Sequence, residues 1–392
     1  LPIGEDINSF TPVQHPANDM NTDIITTHFD YHSIDANLLK LDILGHDDPT
    51  MIRMLEDLTG LDAQTIPLDN PEVMSLFKST EALGIRPEDI GGCPLGCLGI
   101  PEFGTDFVIQ MLLDTKPQSF SDLIRISGLS HGTDVWLGNA QTLIEEGKAT
   151  ISTAICTRDD IMIYLIDKGL ESELSFTIME SVRKGKGLKP EWEKEMTDHG
   201  VPDWYIWSCK KIKYMFPKAH AAAYVMMAYR IAYYKIFYPL AYYAAYFSIR
   251  ASAFSYELMC MGKERLEYYM EDYQKRADTL TKKEQDTYKD MKNVQEMYAR
   301  GFEFVPVDLY KAQAHRFQIV DGKLMPALDT IEGLGDKAAD AVVLAARDGK
   351  FLSKDDFRQR TKVSKTVIDF MDDLGIFGDL PETNQISLFD FQ

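Results

Sequence analysis

The stretch His220–Arg250, HAAAYVMMAYRIAYYKIFYPLAYYAAYFSIR, decides the fold of this protein. It is the most apolar stretch of the chain, but Arg230, Lys235 and Pro239 interrupt it. A membrane-spanning helix needs about 20 consecutive, predominantly apolar residues, and no uncharged run here reaches that length. The stretch therefore predicts a pair of helices buried in the core of a soluble protein.

Helical patterns continue on both sides of this stretch. The chain has 392 residues, 45% of them hydrophobic, which is enough to bury large cores in two or three domains. Residues 1–50 are rich in Asx and Pro and predict short strands and loops, whereas the helical period dominates from Pro49 onwards. After Gly301 we expect strands joined by an Asp321-Gly322 turn. The predicted fold class is therefore α+β, predominantly helical.

Charge and cysteine content argue against several classes of protein. The net charge of −20 is unlike that of a non-specific nucleic-acid binder, which should be basic. Between Ser181 and His220, however, nine Lys and Arg stand against five Asp and Glu, a local net charge of +4 that we call the basic island. The five cysteines are few and odd in number, which suits a reducing compartment and predicts a cytoplasmic location. Cys93 and Cys97 would supply at best half of a zinc site.

The basic island contains two segments that suit an anionic ligand. In SVRKGKGLKPEW (Ser181–Trp192), cations stand among glycines and can approach phosphate oxygens closely. In KKIKYMFPKAHAAAY (Lys210–Tyr224), Pro217 precedes a helix start that carries Lys218 and His220, and spare N–H groups at a helix start attract anions. These segments predict a site for a polyanion such as a triphosphate. A solvated basic loop is the alternative.

A glycine turn nearer the C-terminus predicts a contact with nucleic acid. In DTIEGLGDKAADAVVLAARDGKF (Asp329–Phe351), I-E-G-L-G precedes an alanine-rich helix, which is the form of a helix-hairpin-helix. Gly333 and Gly335 let backbone N–H groups contact DNA phosphates independently of base sequence, and Lys337 adds a charge. We prefer this interpretation over a plain helical hairpin.

The last residues, NQISLFDFQ, end in apolar side chains, although polar chain ends are normally frayed and solvated. Ile386, Leu388, Phe389 and Phe391 on a flexible end are typical of a peptide ligand for a groove on another protein. Docking of the tail on the chain's own surface is the alternative.

A carboxylate interrupts the apolar run NLLKLDILGH (Asn37–His46). Leu39, Leu41 and Ile43 share one face of an extended chain by the period of two, and Asp42 belongs to the other face. A carboxylate beside large aliphatic groups is costly unless it is paired, hydrogen-bonded or bound to a metal. An edge strand with Asp42 facing water is the simplest interpretation of this segment taken alone.

Taken together, these motifs resemble the replicative DNA polymerase III alpha subunit of the bacterial C family, in its PolC-type form and in its C-terminal portion. TTHFDYHSIDANLLKLDILGHDDPTMIRML resembles the last segment of the family's palm. SGLSHGTDVWLGNAQ, CTRDDIMIYLI, MESVRKGKGL and KKIKYMFPKAHAAAY resemble its fingers. IEGLG resembles the helix-hairpin-helix of its duplex-binding region, and QISLF resembles its sliding-clamp-binding motif.

The resemblance implies a division of the chain into four parts. Residues 1–50 would be the C-terminal part of the palm, and residues 51–255 the fingers. Residues 256–380 would form the duplex-binding region, with the helix-hairpin-helix at about 329–350. Residues 381–392 would be a flexible tail with the clamp-binding motif.

The resemblance also implies roles for individual residues. Asp42 matches the third catalytic carboxylate of the palm and would be a magnesium ligand; since the other two belong to an upstream Asp-x-Asp motif, we expect this chain to be inactive alone. The expected nucleotide-binding residues are Ser127, His131, Arg158, Arg183, Lys184, Tyr214, Lys218 and His220. The expected DNA-binding residues are Gly333, Gly335 and Lys337, and the expected clamp-binding residues are Gln385, Ile386, Leu388 and Phe389.

The implied function is that of a fragment of a DNA-directed DNA polymerase, which adds dNTPs to a primer 3′-hydroxyl by two-metal phosphoryl transfer with Mg²⁺. The expected partners are primer–template DNA, dNTPs, the sliding clamp and other replisome subunits, with no membrane. The alternative is a non-catalytic DNA- and clamp-binding adaptor, in which the basic island holds only backbone phosphate. A nucleotide-binding regulatory protein is disfavoured because neither G-x-x-x-x-G-K nor G-x-G-x-x-G occurs.

Overall fold

The chain divides into two compact units. A computed structural model describes residues 1–41, 43 and 45–384. One unit is Leu1–His46, and the other begins at Asp47. The first unit contains an antiparallel strand pair, β1 (Val13–Gln14) and β2 (Thr26–Thr27). Its 3₁₀ turns lie at Ile7–Ser9, Pro16–Asn18 and Tyr31–Ser33.

The apolar run of the first unit does not form a strand where the structure describes it. Residues 38–41 and 43 carry no strand, and the side chains of Leu39, Leu41 and Ile43 are 77%, 69% and 88% exposed. A strand is stable when neighbouring strands exchange backbone hydrogen bonds with it and cover its apolar face. Alternation of residue type was therefore not enough to predict a strand here.

The second unit is built mainly of α-helices. In chain order they are α1 (Asp47–Thr59), α2 (Pro71–Ser75), α3 (Asp106–Thr115), α4 (Phe120–His131), α5 (Gln141–Glu145), α6 (Arg158–Asp167), α7 (Ser172–Arg183), α8 (Pro190–Asp198), α9 (Asp203–Lys211), α10 (Lys218–Phe237), α11 (Pro239–Ala245), α12 (Tyr256–Met259), α13 (Lys263–Lys275), α14 (Lys282–Ala299), α15 (Asp336–Arg347), α16 (Lys354–Thr361) and α17 (Lys365–Asp373). Short 3₁₀ turns lie at Ala63–Thr65, Glu81–Leu83, Pro87–Ile90, Ala277–Thr279 and Leu328–Thr330, and π-helical turns at Trp136–Ala140 and Tyr246–Arg250.

The stretch that decides the fold forms two helices, α10 and α11, as predicted. Tyr238 leaves helical geometry between them, and Pro239 starts α11 because its fixed φ and missing N–H suit the first turn of a helix. Residues 241–245 are all buried, and α10 contacts α1, α2, α4, α6 and α11. Among the described residues, no helix is both long and apolar enough to cross a membrane.

Lys235 is a charged residue of α10 that is completely buried. Its Nζ lies 2.9 Å from Oε1 of Glu296 on α14 and donates to the carbonyls of Gly96 (2.8 Å) and Leu98 (2.6 Å). The hydroxyl of Tyr243 donates to Glu296 at 2.6 Å. Burial lowers the pKa of Lys235, while Glu296 favours the charged form. This network ties α10 to α14 through a paired charge.

The predicted hairpin is present but short. It consists of β3 (Gln318–Val320) and β4 (Lys323–Met325), paired antiparallel. Asp321 and Gly322 have φ values of 50° and 74°, which a two-residue type I′ turn requires. Residues 302–310, also predicted as a strand, contribute one isolated bridge to β4.

Two hydrophobic cores fill the second unit. The larger core contains buried side chains from residues 51–327, and the smaller core contains buried side chains from residues 256–377. The smaller core includes Ile331, Leu334 and Phe357, and it packs α15, α16 and α17 together. The fold is α+β and predominantly helical, which confirms the predicted fold class.

Candidate nucleotide- and DNA-binding sites

One extended segment, residues 213–218, joins the ends of three helices. Tyr214 forms an antiparallel bridge with Thr133, which follows α4. The carbonyl of Arg183, the last residue of α7, accepts an N–H from the segment at 3.2 Å. The N–H of Arg158, the first residue of α6, donates to a carbonyl of the segment at 3.2 Å. The extended segment thereby brings together residues that are far apart in the sequence.

Two glycines permit this close approach. A Cβ on Gly132 would lie 2.8 Å from the carbonyl oxygen of Tyr214, and a Cβ on Gly185 would lie 2.6 Å from that of Lys213. Gly185 also has a φ of +71°, which side chains other than glycine rarely adopt. Gly185, which lies beside Arg183 and Lys184, therefore leaves room for the backbone of the extended segment.

Three of the predicted nucleotide-binding cations surround Glu180 on α7. Arg183 donates to it through Nε (2.5 Å) and Nη2 (2.9 Å), and Nζ of Lys184 lies 3.1 Å from Oε2. Nη1 of Arg158 lies 3.9 Å from Oε1. The hydrogen bonds from Arg183 lower the pKa of Glu180 to about 2. Sequence reasoning missed Glu180, although it precedes Arg183 by three residues and Lys184 by four, the spacing of neighbours on a helix.

The start of α10 differs from the open anion site that the sequence suggested. The N–H of Lys218 donates to Oδ2 of Asp159 at 2.6 Å, so a carboxylate from α6 already occupies part of this helix N-terminus. The Nζ of Lys218 forms no ion pair with the described residues. Lys218 therefore contributes a side-chain charge, whereas its backbone N–H is engaged.

Aromatic rings follow one another along the extended segment into α10. The ring centroids of Tyr214 and Phe216 lie 5.2 Å apart, those of Phe216 and His220 5.0 Å, and those of His220 and Tyr224 4.3 Å. The ring of His131 packs edge-on against Phe216 at 5.7 Å. Tyr214 is 45% exposed and offers a surface on which a planar group could stack.

The neighbours of His131 favour its protonated form. Its Nε2 lies 2.8 Å from Oε2 of Glu102, and its Nδ1 lies 2.7 Å from the carbonyl oxygen of Ser127. Glu102 raises the pKa of His131 because it stabilises the imidazolium. Glu102 comes from another part of the chain, and sequence reasoning missed it. Ser127 is only 2% exposed, so its side chain does not line an open pocket in this conformation.

The predicted helix-hairpin-helix has a shortened first element. A 3₁₀ turn, Leu328–Thr330, precedes the glycine turn in place of a full helix. Gly333 has a φ of +84°, and a Cβ there would lie 2.8 Å from Cγ2 of Val367 on α17. Gly335 is the N-cap of α15, and Lys337 is exposed in the first turn of that helix. The backbone N–H groups of this helix start are in the position that a phosphate contact needs.

Replacing Gly333 with Ala should weaken duplex DNA binding and lower the free energy of unfolding by about 1–2 kcal/mol, because an L-residue is strained at this φ. The added Cβ also collides with Val367. Fluorescence anisotropy with a short duplex and urea unfolding measure the two effects. Gly322→Ala is the matched control, since Gly322 has a φ of +74° but open space around it. Equal duplex affinity for the two variants would rule out a role for the Gly333 turn in DNA contact.

Two predicted sites lie outside the residues that the structure describes. These are the proposed magnesium ligand and the clamp-binding residues: Asp42, Gln385, Ile386, Leu388 and Phe389. Just before the tail, the carbonyls of Pro381 and Glu382 accept N–H groups from the first turn of α16 at 2.9 and 3.0 Å. These hydrogen bonds attach the chain to α16 as far as Glu382.

The proposed half zinc site is not supported. Cys97 is completely buried, and burial raises the pKa of its thiol to about 12. The Sγ atoms of Cys93 and Cys97 lie 3.4 and 3.5 Å from backbone carbonyl oxygens to which they donate. Among the described residues, neither thiol belongs to a group of three or more potential metal ligands.

Comparison with known families agrees with this geometry. Residues 48–201 match the bacterial DNA polymerase III alpha subunit finger domain, and residues 301–386 match a helix-hairpin-helix motif. The first match contains Glu180 and the cations around it. The protein is 56% identical over 389 residues to the DNA polymerase III PolC-type of Caldanaerobacter subterraneus subsp. tengcongensis.

The chain belongs to the PolC-type DNA polymerase III family. It is also 56% identical to the PolC-type polymerases of Clostridium perfringens and Bacillus subtilis, again over 99% of its length. It spans only 27–28% of the length of these relatives. The resemblance drawn from the motifs is thereby confirmed at the level of the family.

Proposed function

We propose that this chain supplies the dNTP-binding fingers and the duplex contacts of a replicative DNA-directed DNA polymerase. The observation that supports this best is the convergence of Arg158, Arg183 and Lys184 on the single carboxylate of Glu180. Three cations around one carboxylate leave an excess positive charge. A triphosphate could use that charge by displacing Glu180.

The proposed roles of the segments of this chain follow those of the family. We propose that residues 1–50 complete the palm, residues 51–255 form the fingers and residues 256–380 bind the duplex. The second compact unit begins at Asp47, which supports the first boundary. The larger core contains buried residues on both sides of residue 255 and does not mark the second boundary.

In the fingers, the chain's own residues would bind and orient the nucleotide. Arg183 and Lys184 would exchange Glu180 for phosphate oxygens, and Lys218 would add a third cation from the start of α10. Tyr214 offers its exposed ring for stacking. Base choice would come from pairing geometry in the closed site, because the aromatic surface has no fixed pattern of hydrogen-bond donors and acceptors.

For the palm, we propose Asp42 as a ligand of Mg²⁺ together with the family's Asp-x-Asp pair. When bound there, Mg²⁺ promotes attack by the primer 3′-hydroxyl and neutralises charge on the α-phosphate. The nearby Asp48 does not suit this role, because its carboxylate is buried and lies 3.2 Å from Nη1 of Arg250. Asp42 is assigned this role because it matches the third catalytic carboxylate of the family's palm.

We further propose that Gln385, Ile386, Leu388 and Phe389 bind the sliding clamp. A peptide contact to a ring on DNA raises the effective concentration of the polymerase at the primer end. Repeated rebinding then becomes an intramolecular event, and processivity increases without any change in the chemistry.

Nucleotide-dependent stabilisation of a primer–template complex tests the function. In the complete polymerase, Arg183→Gln should raise the apparent Kd of the correct dNTP by about tenfold or more, the loss expected for one charged hydrogen bond. Glu180→Gln should lower it, because the triphosphate then displaces a neutral group. Lys168→Gln is the control, since Lys168 is exposed, forms no ion pair with the described residues and lies outside the basic island.

Each outcome of this experiment discriminates between functions. Opposite shifts in Arg183→Gln and Glu180→Gln, with Lys168→Gln unchanged, would support triphosphate binding at this cluster. If the correct dNTP did not tighten the wild-type complex at all, the non-catalytic adaptor would replace the polymerase as the leading function.

A further inference from the structure

A groove of about 560 Å³ lies beside α15, away from the glycine turn. One wall is formed by residues 309–318 and the other by α15 residues spaced along one helical face. Lys311, Arg316 and Arg347 line it, and all three are exposed. Asp340 is the carboxylate in this lining. The groove is therefore positively charged in a chain whose net charge is −20.

The three cations of this groove form no ion pair with the described residues. This is unusual for the arginines of such an acidic chain, most of which lie within 4 Å of a carboxylate oxygen. The paired arginines are Arg53, Arg86, Arg125, Arg158, Arg183, Arg250, Arg265, Arg276 and Arg360. Arg316 and Arg347 thus keep their full charge available for an anion from outside the chain.

The carboxylate of Asp340 is paired with a histidine. Nε2 of His315 lies 2.8 Å from Oδ1 of Asp340, and Nδ1 lies 3.0 Å from Oδ2 of Asp329. Carboxylates at both ring nitrogens favour the imidazolium form, and these bonds raise the pKa of His315. Asp329 and Asp336 both approach Nδ1, so His315 faces three carboxylates in all. One imidazolium balances only one of these three carboxylates, so the cations of the groove lie beside an acidic cluster at His315.

His315 lies between the groove and the cavity at the glycine turn. His315 lines both this groove and a neighbouring cavity that contains Gly333 and Gly335. Between Asp336 and Arg347 the helix rises by about 16 Å, at about 1.5 Å per residue. This length is about half of one helical turn of B-DNA, which is about 34 Å, so a single duplex is long enough to reach both ends of α15.

We propose that this groove is a second binding site for the DNA backbone, in which Lys311, Arg316 and Arg347 contact phosphates of the duplex that the glycine turn also holds. The proposal rests on the proposed function of duplex binding. Arginine suits this task because its planar guanidinium forms paired hydrogen bonds with phosphate oxygens. Contacts of this kind position the duplex and do not read its sequence.

The salt dependence of duplex binding tests the proposal, because the slope of log K against log salt falls by about 0.9 for each phosphate contact that is lost. With the 392-residue chain and a blunt duplex, the double variant Arg316→Gln/Arg347→Gln should reduce the slope by about 1.8. Arg316→Lys/Arg347→Lys should keep most of it, since the slope counts charges. Arg358→Gln is the matched control, because Arg358 is exposed, has no ion pair with the described residues and lies outside the groove.

The outcomes separate this inference from the function on which it rests. A wild-type slope in the double glutamine variant would overturn the second site and leave duplex binding intact. An equal loss in Arg358→Gln would also overturn it, since the effect would then follow net charge. If the wild-type chain did not bind the duplex, both the proposed function and this inference would fail. The replaced side chains are exposed, so unchanged thermal unfolding should accompany the loss of slope.

Discussion

Replacing Asp42 with Asn in the complete polymerase should reduce primer extension by about a thousandfold or more. Asparagine is nearly the same size as aspartate but carries no charge, so it holds a divalent cation weakly. A metal ion in a phosphoryl-transfer site contributes several kcal/mol to the stabilisation of the transition state, and each 1.36 kcal/mol corresponds to about a factor of ten in rate. The measurement is single-nucleotide incorporation on a primed template at saturating dNTP.

The effect of Asp42→Asn should appear in the chemical step. Binding of primer–template DNA, measured separately, should change little, because the duplex contacts proposed here lie elsewhere in the chain. Asp23→Asn is the control, since Asp23 is an exposed carboxylate of the same compact unit. Normal primer extension by Asp42→Asn would show that Asp42 is not a metal ligand, and the third carboxylate would then have to be sought elsewhere.

Local patterns predicted the local elements of this fold. The apolar stretch around Pro239 predicted α10 and α11, and the Asp321-Gly322 dipeptide predicted the turn between β3 and β4. In each case the information lies within a few residues, in side-chain spacing or in the backbone angles that one residue type tolerates. Family membership was also readable, because its motifs are short and specific.

Contacts between segments that are distant in the sequence could not be predicted from local patterns. The residue that engages the N–H of Lys218 is Asp159, which lies 59 positions earlier in the chain, and the partner of His131 is Glu102. Ser127 was expected in a pocket and is buried. These features depend on how helices pack, which periodicity does not specify. Glu180 is different, because its helical spacing to Arg183 was visible in the sequence.

The buried pair of Lys235 and Glu296 should produce the largest change in stability. Lys235→Met is expected to lower the free energy of unfolding by about 3–5 kcal/mol, because it leaves the carboxylate of Glu296 buried without its cation. The carbonyls of Gly96 and Leu98 also lose a donor. Urea unfolding followed by circular dichroism measures the difference. Lys289→Met, at an exposed position of α14, is the control and should change stability by less than about 0.5 kcal/mol.

A double variant separates the two contributions to this loss. Lys235→Met/Glu296→Met removes both charges, and apolar residues of similar volume often replace a buried ion pair with little cost. It should therefore be more stable than Lys235→Met alone, although the hydroxyl of Tyr243 loses its acceptor. If the double variant were less stable than the single variant, the hydrogen bonds of the network would contribute to stability beyond the neutralisation of Glu296. Because α10 begins at Lys218, a rigid connection between α10 and α14 would then also fix the position of that cation.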